Sequence, residues 1–158
     1  MVSDVFACPD VIECDVLNGQ CLEEIKEYVT AQAGDGFATC MIIDDMTSHL
    51  KNKTVINDLS NLINNRRHYK LSIFLLVQYF NSIPLQVRRL TTHMSLFRPN
   101  NKKELEDVSR ELIPLGRDEL NEVYKYVFNE AHSFLFINIE NGQMFKKFNL
   151  LNFEKKPE

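Results

Sequence analysis

Residues 38 to 46, Ala-Thr-Cys-Met-Ile-Ile-Asp-Asp-Met, carry a short apolar run straight into two adjacent carboxylates. A run this short, with β-branched Thr39, Ile42 and Ile43, reads as a buried parallel strand with Asp44 and Asp45 at its C-terminal end. Open α/β sheets place their ligands at that end. Two acids there are costly unless something positive lies between them, and a magnesium ion carrying phosphates is the commonest answer. The alternative is a strand that ends in an Asp-Asp turn and caps the next helix. The residues of this stretch leave both readings open.

The rest of the chain supplies the elements around that strand. Residues 20 to 32 place Leu22, Ile25, Tyr28 and Val29 on one helical face, and Gly34 and Gly36 break the pattern. A helix over about 53 to 65 follows the acidic strand, with Val55, Ile56, Leu59, Leu62 and Ile63 on its buried side. Leu71 to Val77 is a second apolar run and ends on polar Gln78. Pro84 suits the first turn of a further helix to about Leu90, and Met94 to Phe97 reads as a short strand. A short apolar start at Val5 to Ala7 adds one more strand.

The last third differs in kind. Leu105, Val108 and Leu112 mark one amphipathic helix and Leu120, Val123, Tyr124, Val127 and Phe128 another, with Pro114 and Gly116 between them. Ser133 to Ile139 and Gln143 to Leu150 flank Asn141-Gly142, a strong hairpin signal. Strands that alternate with helices predict an α/β fold, a mostly parallel sheet with helices on both faces, closed by a C-terminal β-hairpin.

With 158 residues the chain is about one domain. Its formal charge of −4 argues against a uniformly basic nucleic-acid coat, although a local basic groove remains compatible. No apolar run approaches the ~18 residues of a membrane span, and Met-Val-Ser-Asp-Val-Phe lacks the form of a signal peptide, so an intracellular chain is expected. Cys8, Cys14, Cys21 and Cys40 contain no C-x-x-C pair, which disfavours zinc and makes reduced thiols the expectation. His49, His68, His93 and His132 show no metal spacing.

Asp44-Asp45 and Gln78 each end an apolar strand, and one helix separates the two strands. Neighbouring parallel strands would bring both ends to one rim of the sheet. There a carboxylate pair can hold magnesium and orient a water, while a neutral amide can hydrogen-bond that water or a phosphate. Taken alone, Gln78 is an ordinary solvent-facing strand end. Arg66, Arg67, Arg88, Arg89 and Arg98 follow at rim positions; arginines at helix ends usually serve the macrodipole, but phosphoryl-transfer sites also use arginine against developing charge.

The segment from Asn64 through Gln78 and Ile83-Pro-Leu-Gln-Val-Arg-Arg89 to Pro99 resembles the sensor segment of the FtsK–HerA superfamily of DNA-pumping ATPases. Together with Ile42-Ile-Asp-Asp-Met46 it is most similar to the genome-packaging ATPases of poxviruses and other large nucleocytoplasmic DNA viruses, over about residues 38 to 112. The resemblance implies a P-loop NTPase fold of the ASCE type, ATP and magnesium as cofactors, and a Walker B strand in which Asp44 holds the metal and Asp45 polarises the attacking water. It further implies Gln78 as polar sensor, with Arg88 and Arg89 among the candidate arginine fingers. The partners it implies are double-stranded DNA, further copies of the chain in a ring, and viral capsid or membrane assembly proteins, in the host cytoplasm or the virion.

The sequence departs from this family at one point. The phosphate cradle G-x-x-x-x-G-K-[ST], which the family places upstream of the acidic strand, has no counterpart in residues 1 to 37. The expectation is therefore a single partial ATPase domain over residues 1–158, the C-terminal portion of a packaging motor whose central phosphate-loop strand is missing. The strands ending at Gln78 and beginning at Met94 should then lack a partner between them. The alternative is a non-catalytic DNA-binding or virion-assembly module of the same fold. A magnesium-dependent nuclease fits less well, because no third acid stands at an equivalent strand end.

Overall fold

The computed structural model describes residues 11–99, 102–113 and 115–152. The strand expected at Val5 to Ala7, Cys8 and Pro114 lie outside them. The chain forms two compact units, one from residues up to Gln78 together with Ser82–Leu90, the other from Tyr79–Asn81 together with residues from Thr91 onward.

In the first unit, helix α1 (Gly19–Gly34) leads to strand β1 (Thr39–Asp44), helix α2 (Lys53–Asn64), strand β2 (Leu71–Leu76) and the short helix α3 (Leu85–Arg88). The helix starts are set by side chains: Asn18 accepts the Cys21 N–H at 2.9 Å and Asn52 accepts the Thr54 N–H at 2.9 Å, each satisfying a donor that the first turn leaves unpaired. β1 and β2 pair in parallel, Thr39 opposite Leu71 through Asp44 opposite Leu76. Alternation along the strands then divides their side chains. Met41, Ile43 and Leu71 are buried against Leu22 and Val29 of α1, Leu59 and Leu62 of α2, and Val87 of α3. Cys40, Ile42, Phe74 and Leu76 face the other way and are exposed. Helices thus cover one face of this pair among the described residues, where the sequence pattern suggests cover on both; the period of two places apolar groups on each face but says nothing of what meets them.

Cys14 and Cys21 are joined by a disulfide with Cα atoms 6.3 Å apart, so reduced thiols are not the state found. Burial of Leu17 and the Asn18 cap fold residues 14 to 18 back on the first turn of α1, which brings the two sulfurs together. Cys40 is free and exposed.

In the second unit, strand β3 (His93–Phe97), helices α4 (Lys102–Leu112) and α5 (Arg117–Val127), and strands β4 (Phe134–Asn138), β5 (Gln143–Lys146) and β6 (Asn149–Leu150) form an antiparallel sheet in the order β3-β4-β5-β6 with two helices. Leu96, Leu135, Ile137 and Met144 on one face join Leu105, Val108, Leu120, Val123 and Val127 in a second core. The opposite face is aromatic: His93 stacks on Phe136 with centroids 5.6 Å apart, and Phe97 meets Phe134 at 5.5 Å. The backbone N–H of Phe80 donates to Glu104 at 2.9 Å, tying residues 79–81 to α4.

A hairpin forms, with a longer turn and a shorter second arm than expected: Gln143 to Leu150 is divided into β5 and β6, which fold back on each other antiparallel with Phe145 opposite Leu150. β4 and β5 close on Asn138 opposite Gln143, leaving a four-residue loop in which Gly142 takes φ +72° while Asn141 does not take a positive φ. Asn138 and Asn141 accept the N–H groups of Glu140 and Gln143 at 3.1 and 3.0 Å, which stabilises this loop over a two-residue turn. β2 and β3, expected to flank a missing strand, share no ladder: β2 pairs with β1 and β3 with β4.

Candidate active site

The apolar alternation of β1 ends at Asp44, and Asp45 turns out of the strand at φ +50°, a left-handed conformation that aspartate and asparagine tolerate better than other non-glycine residues. Its N–H donates to the carbonyl of Leu76 at 3.3 Å, so the turn stays fastened to the end of β2. Two residues beyond β2, Gln78 Nε2 donates to both carboxylate oxygens of Asp45 at 3.3 Å each. The parallel register thus brings together the two polar strand ends singled out in the sequence. The bifurcated contact fixes the plane of the carboxylate while leaving lone pairs on both oxygens available.

Asp44 and Asp45, though adjacent, do not point the same way. Asp44 belongs to the exposed side of the strand pair with Ile42, opposite Leu76 in register, whereas Asp45 leans across the end of β2 to Gln78. Both acids are exposed, as is Gln78.

The arginines separate into different situations. Arg66 Nη1 donates to the Ile63 carbonyl at 3.1 Å, a helix-end interaction that occupies its guanidinium at the C-terminus of α2. Arg88, the last residue of α3, is half-buried, and Arg89, its C-cap, is exposed. Both belong to the first unit with the acids. Arg98 lies just past β3 in the second unit. Sequence reasoning did not find the Asp45–Gln78 contact itself or the left-handed turn that makes it possible. The signal was present in the strand lengths, since Asp45 is one residue past β1 and Gln78 two past β2.

Among the described residues no three His, Cys, Asp or Glu converge on a point. Asp44 and Asp45 therefore do not form a self-sufficient metal cage. They fit magnesium of the kind that keeps several waters and takes one or two carboxylates together with phosphates. The sequence contains no G-x-x-x-x-G-K-[ST] loop to hold those phosphates.

The profile of the family described as "Poxvirus A32 protein" matches residues 12–120. The chain belongs to the poxvirus A32 protein family. Among individually curated proteins none matches it. Among solved structures it is similar to B204, the DNA-packaging ATPase of Sulfolobus turreted icosahedral virus, with a TM-score of 0.69 and 17% identity over 89% of this chain and 66% of that one. The genome-packaging NTPase B204 of Sulfolobus turreted icosahedral virus 2 in complex with ATP-gammaS is similar at 0.69 and 17%, over 89% and 67%. The same protein with AMPPCP gives 0.65 and 15%, over 90% and 67%. At these identities the likeness is one of fold alone, the α/β fold of the B204 structures. The chain spans about two thirds of the length of these structures.

Proposed function

We propose that this chain forms the acidic-strand and sensor portion of a viral genome-packaging ATPase, a motor that couples ATP hydrolysis to movement of double-stranded DNA into the virion. The observation that carries this reading is the contact between Gln78 and Asp45 across two parallel strand ends, in a fold similar to packaging NTPases.

Each residue then has a distinct task. Asp44, on the open face at the rim, would hold the magnesium that accompanies nucleotide phosphates, and the bound ion supplies charge neutralisation. Asp45 orients a water and accepts its proton. Gln78 holds the Asp45 carboxylate in one plane, so that a change at the phosphates is felt at β2. Arg88 or Arg89 would offset negative charge from a neighbouring subunit's or its own nucleotide. The partners in this reading are DNA, further copies in a ring and virion assembly proteins, and its setting is the infected cell or the virion. No helix among the described residues is long and apolar enough to cross a membrane.

A non-catalytic DNA-binding or assembly module is the second reading, favoured by the lack of G-x-x-x-x-G-K-[ST] in this sequence. The experiment that separates them measures magnesium-dependent, DNA-stimulated ATP hydrolysis by the chain combined with a phosphate-loop segment of a poxvirus A32 protein. Turnover that needs both parts supports the motor. DNA binding with no turnover from the folded combination supports the module.

A further inference from the structure

Gln78 lies two residues past the end of β2, and its backbone is held from both sides. On one side the ladder ends at Leu76, opposite Asp44, and the Leu76 carbonyl accepts the N–H of Asp45 at 3.3 Å. On the other, the Phe80 N–H donates to Glu104 Oε1 of α4 at 2.9 Å, and Asn81 Nδ2 donates to Asp107 Oδ2 at 2.7 Å. The Phe80 ring is 4% exposed and belongs to the second core. Val77, Gln78 and Tyr79 span the interval, and the chain passes from the first unit to the second immediately after Gln78. Glu104 and Asp107 stand three residues apart on α4, so they share one face of that helix.

The two ends of this span differ in strength. The contact between Gln78 and Asp45 is exposed and 3.3 Å long to each oxygen, just beyond the usual range for an N–H donor. Fixing a glutamine side chain costs conformational entropy that exposed bonds of this length do not offset by themselves. The bond from Phe80 to Glu104 is shorter, partly buried and made to a charged acceptor, which makes it roughly twice as strong as a neutral one. The buried Phe80 ring then fixes the backbone two residues from Gln78. The contact at the rim therefore depends on the anchor at α4, and not the reverse. A glutamate in the first turn of a helix also serves the helix dipole, but that role needs no bond to Phe80 and its loss would leave Gln78 in place.

We propose that Glu104 and Asp107 are positioning residues for Gln78: they fasten Phe80 and Asn81, and so hold the Gln78 amide within reach of the Asp45 carboxylate. The placement stands on these bonds; its consequence for ATP hydrolysis rests on the motor reading. There, loss of the anchor leaves nucleotide binding intact while the Asp45 carboxylate loses the plane that Gln78 gives it, so the effect falls on kcat and not on KM.

The test follows the side-chain amide NMR signals of Gln78 in the isotope-labelled 158-residue chain, assigned by their loss in Gln78→Ala. Their positions in Asp45→Gly, a substitution that suits the left-handed backbone there, define the state without the contact. Glu104→Ala should carry the Gln78 pair most of the way to that state. Glu104→Gln keeps an oxygen for the Phe80 N–H and should return the pair close to its native position. A Gln78 pair that stays in its native position in folded Glu104→Ala overturns the proposal. If Glu104→Ala loses the dispersed spectrum of a folded chain, Asn81→Ala decides instead, because Asn81 is exposed and its replacement removes the bond to Asp107. A shift of the Gln78 pair toward its Asp45→Gly position then upholds the proposal, and an unmoved pair overturns it. In the chain combined with the phosphate-loop segment of a poxvirus A32 protein, the same variant should lower kcat roughly tenfold or more with KM for ATP unchanged. A displaced Gln78 pair beside unaltered turnover upholds the positioning role while removing the motor reading.

Discussion

Asp45 holds its side chain against Gln78 from a left-handed backbone that asparagine adopts about as readily as aspartate. Asp45→Asn should therefore keep the fold, with a change in unfolding free energy within about 0.5 kcal/mol. Its amide oxygen can still accept from Gln78 but cannot take a proton. In the chain combined with its phosphate-loop segment, ATP turnover should fall roughly 10²-fold or more while nucleotide binding persists, as for loss of a general base. Unchanged turnover would mean that the acid pair is only a turn. Gln78→Ala frees the carboxylate plane, so some hydrolysis should survive while DNA movement slows, a split that paired ATPase and translocation assays detect. A different carboxylate reports on the second unit. The hydrogen bond from Lys146 and its charge, then the charge of Lys147, hold Glu130 below the usual glutamate range, at Nζ–Oε1 distances of 3.0 and 3.6 Å. Because the folded value is the lower one, the pairing is complete above the ordinary glutamate range and is lost as pH falls through the lowered value. An NMR titration should place Glu130 below free glutamate, and Lys146→Ala should move it back up.

Elements here are bounded by side chains that close the backbone's open hydrogen bonds. Asn52 caps α2, whose Leu59 and Leu62 form much of the first core, so Asn52→Ala should cost about 1 kcal/mol in denaturant unfolding. Gly142 holds φ +72° in the β4–β5 loop, with no side-chain obstacle around it. Gly142→Ala should thus destabilise through backbone strain alone, by about 1 kcal/mol, the cost of a left-handed turn for an L-residue. A loss of several kcal/mol would show that the loop packs against something. At this scale the sequence was readily legible: the periodic apolar positions locate α1 and α2 to within two residues, those of α4 and α5 mark helices that begin three residues earlier, at Lys102 and Arg117, and the β1 and β2 runs end close to the carboxylates and the glutamine. The turn between β4 and β5 was less so. Asn-Gly favours a tight two-residue turn locally, but the strand register pairs Asn138 with Gln143 and sets the loop at four.

For the molecule as a whole, the expectation is that the 158-residue chain alone neither binds ATP tightly nor turns it over. Asp44 and Asp45 can attract magnesium but repel phosphates where no lysine or N–H cradle offsets their charge. Equilibrium binding of ATP-gammaS and a steady-state ATPase assay check this, and turnover by the purified chain would show that another part of it supplies the cradle. The amino-acid sequence by itself determined the order of the described elements from α1 to β5 and the two polar strand ends, because each is written in neighbouring residues through apolar period and capping. Tertiary structure decided the rest. The Cys14–Cys21 disulfide depends on how residues 14 to 18 fold back on α1. The Asp45–Gln78 contact depends on parallel pairing across 33 residues of sequence. Which face of β1 and β2 is covered depends on where α1, α2 and α3 come to rest. A period of two names two faces for every strand, and only contact between distant segments chooses the one that water keeps.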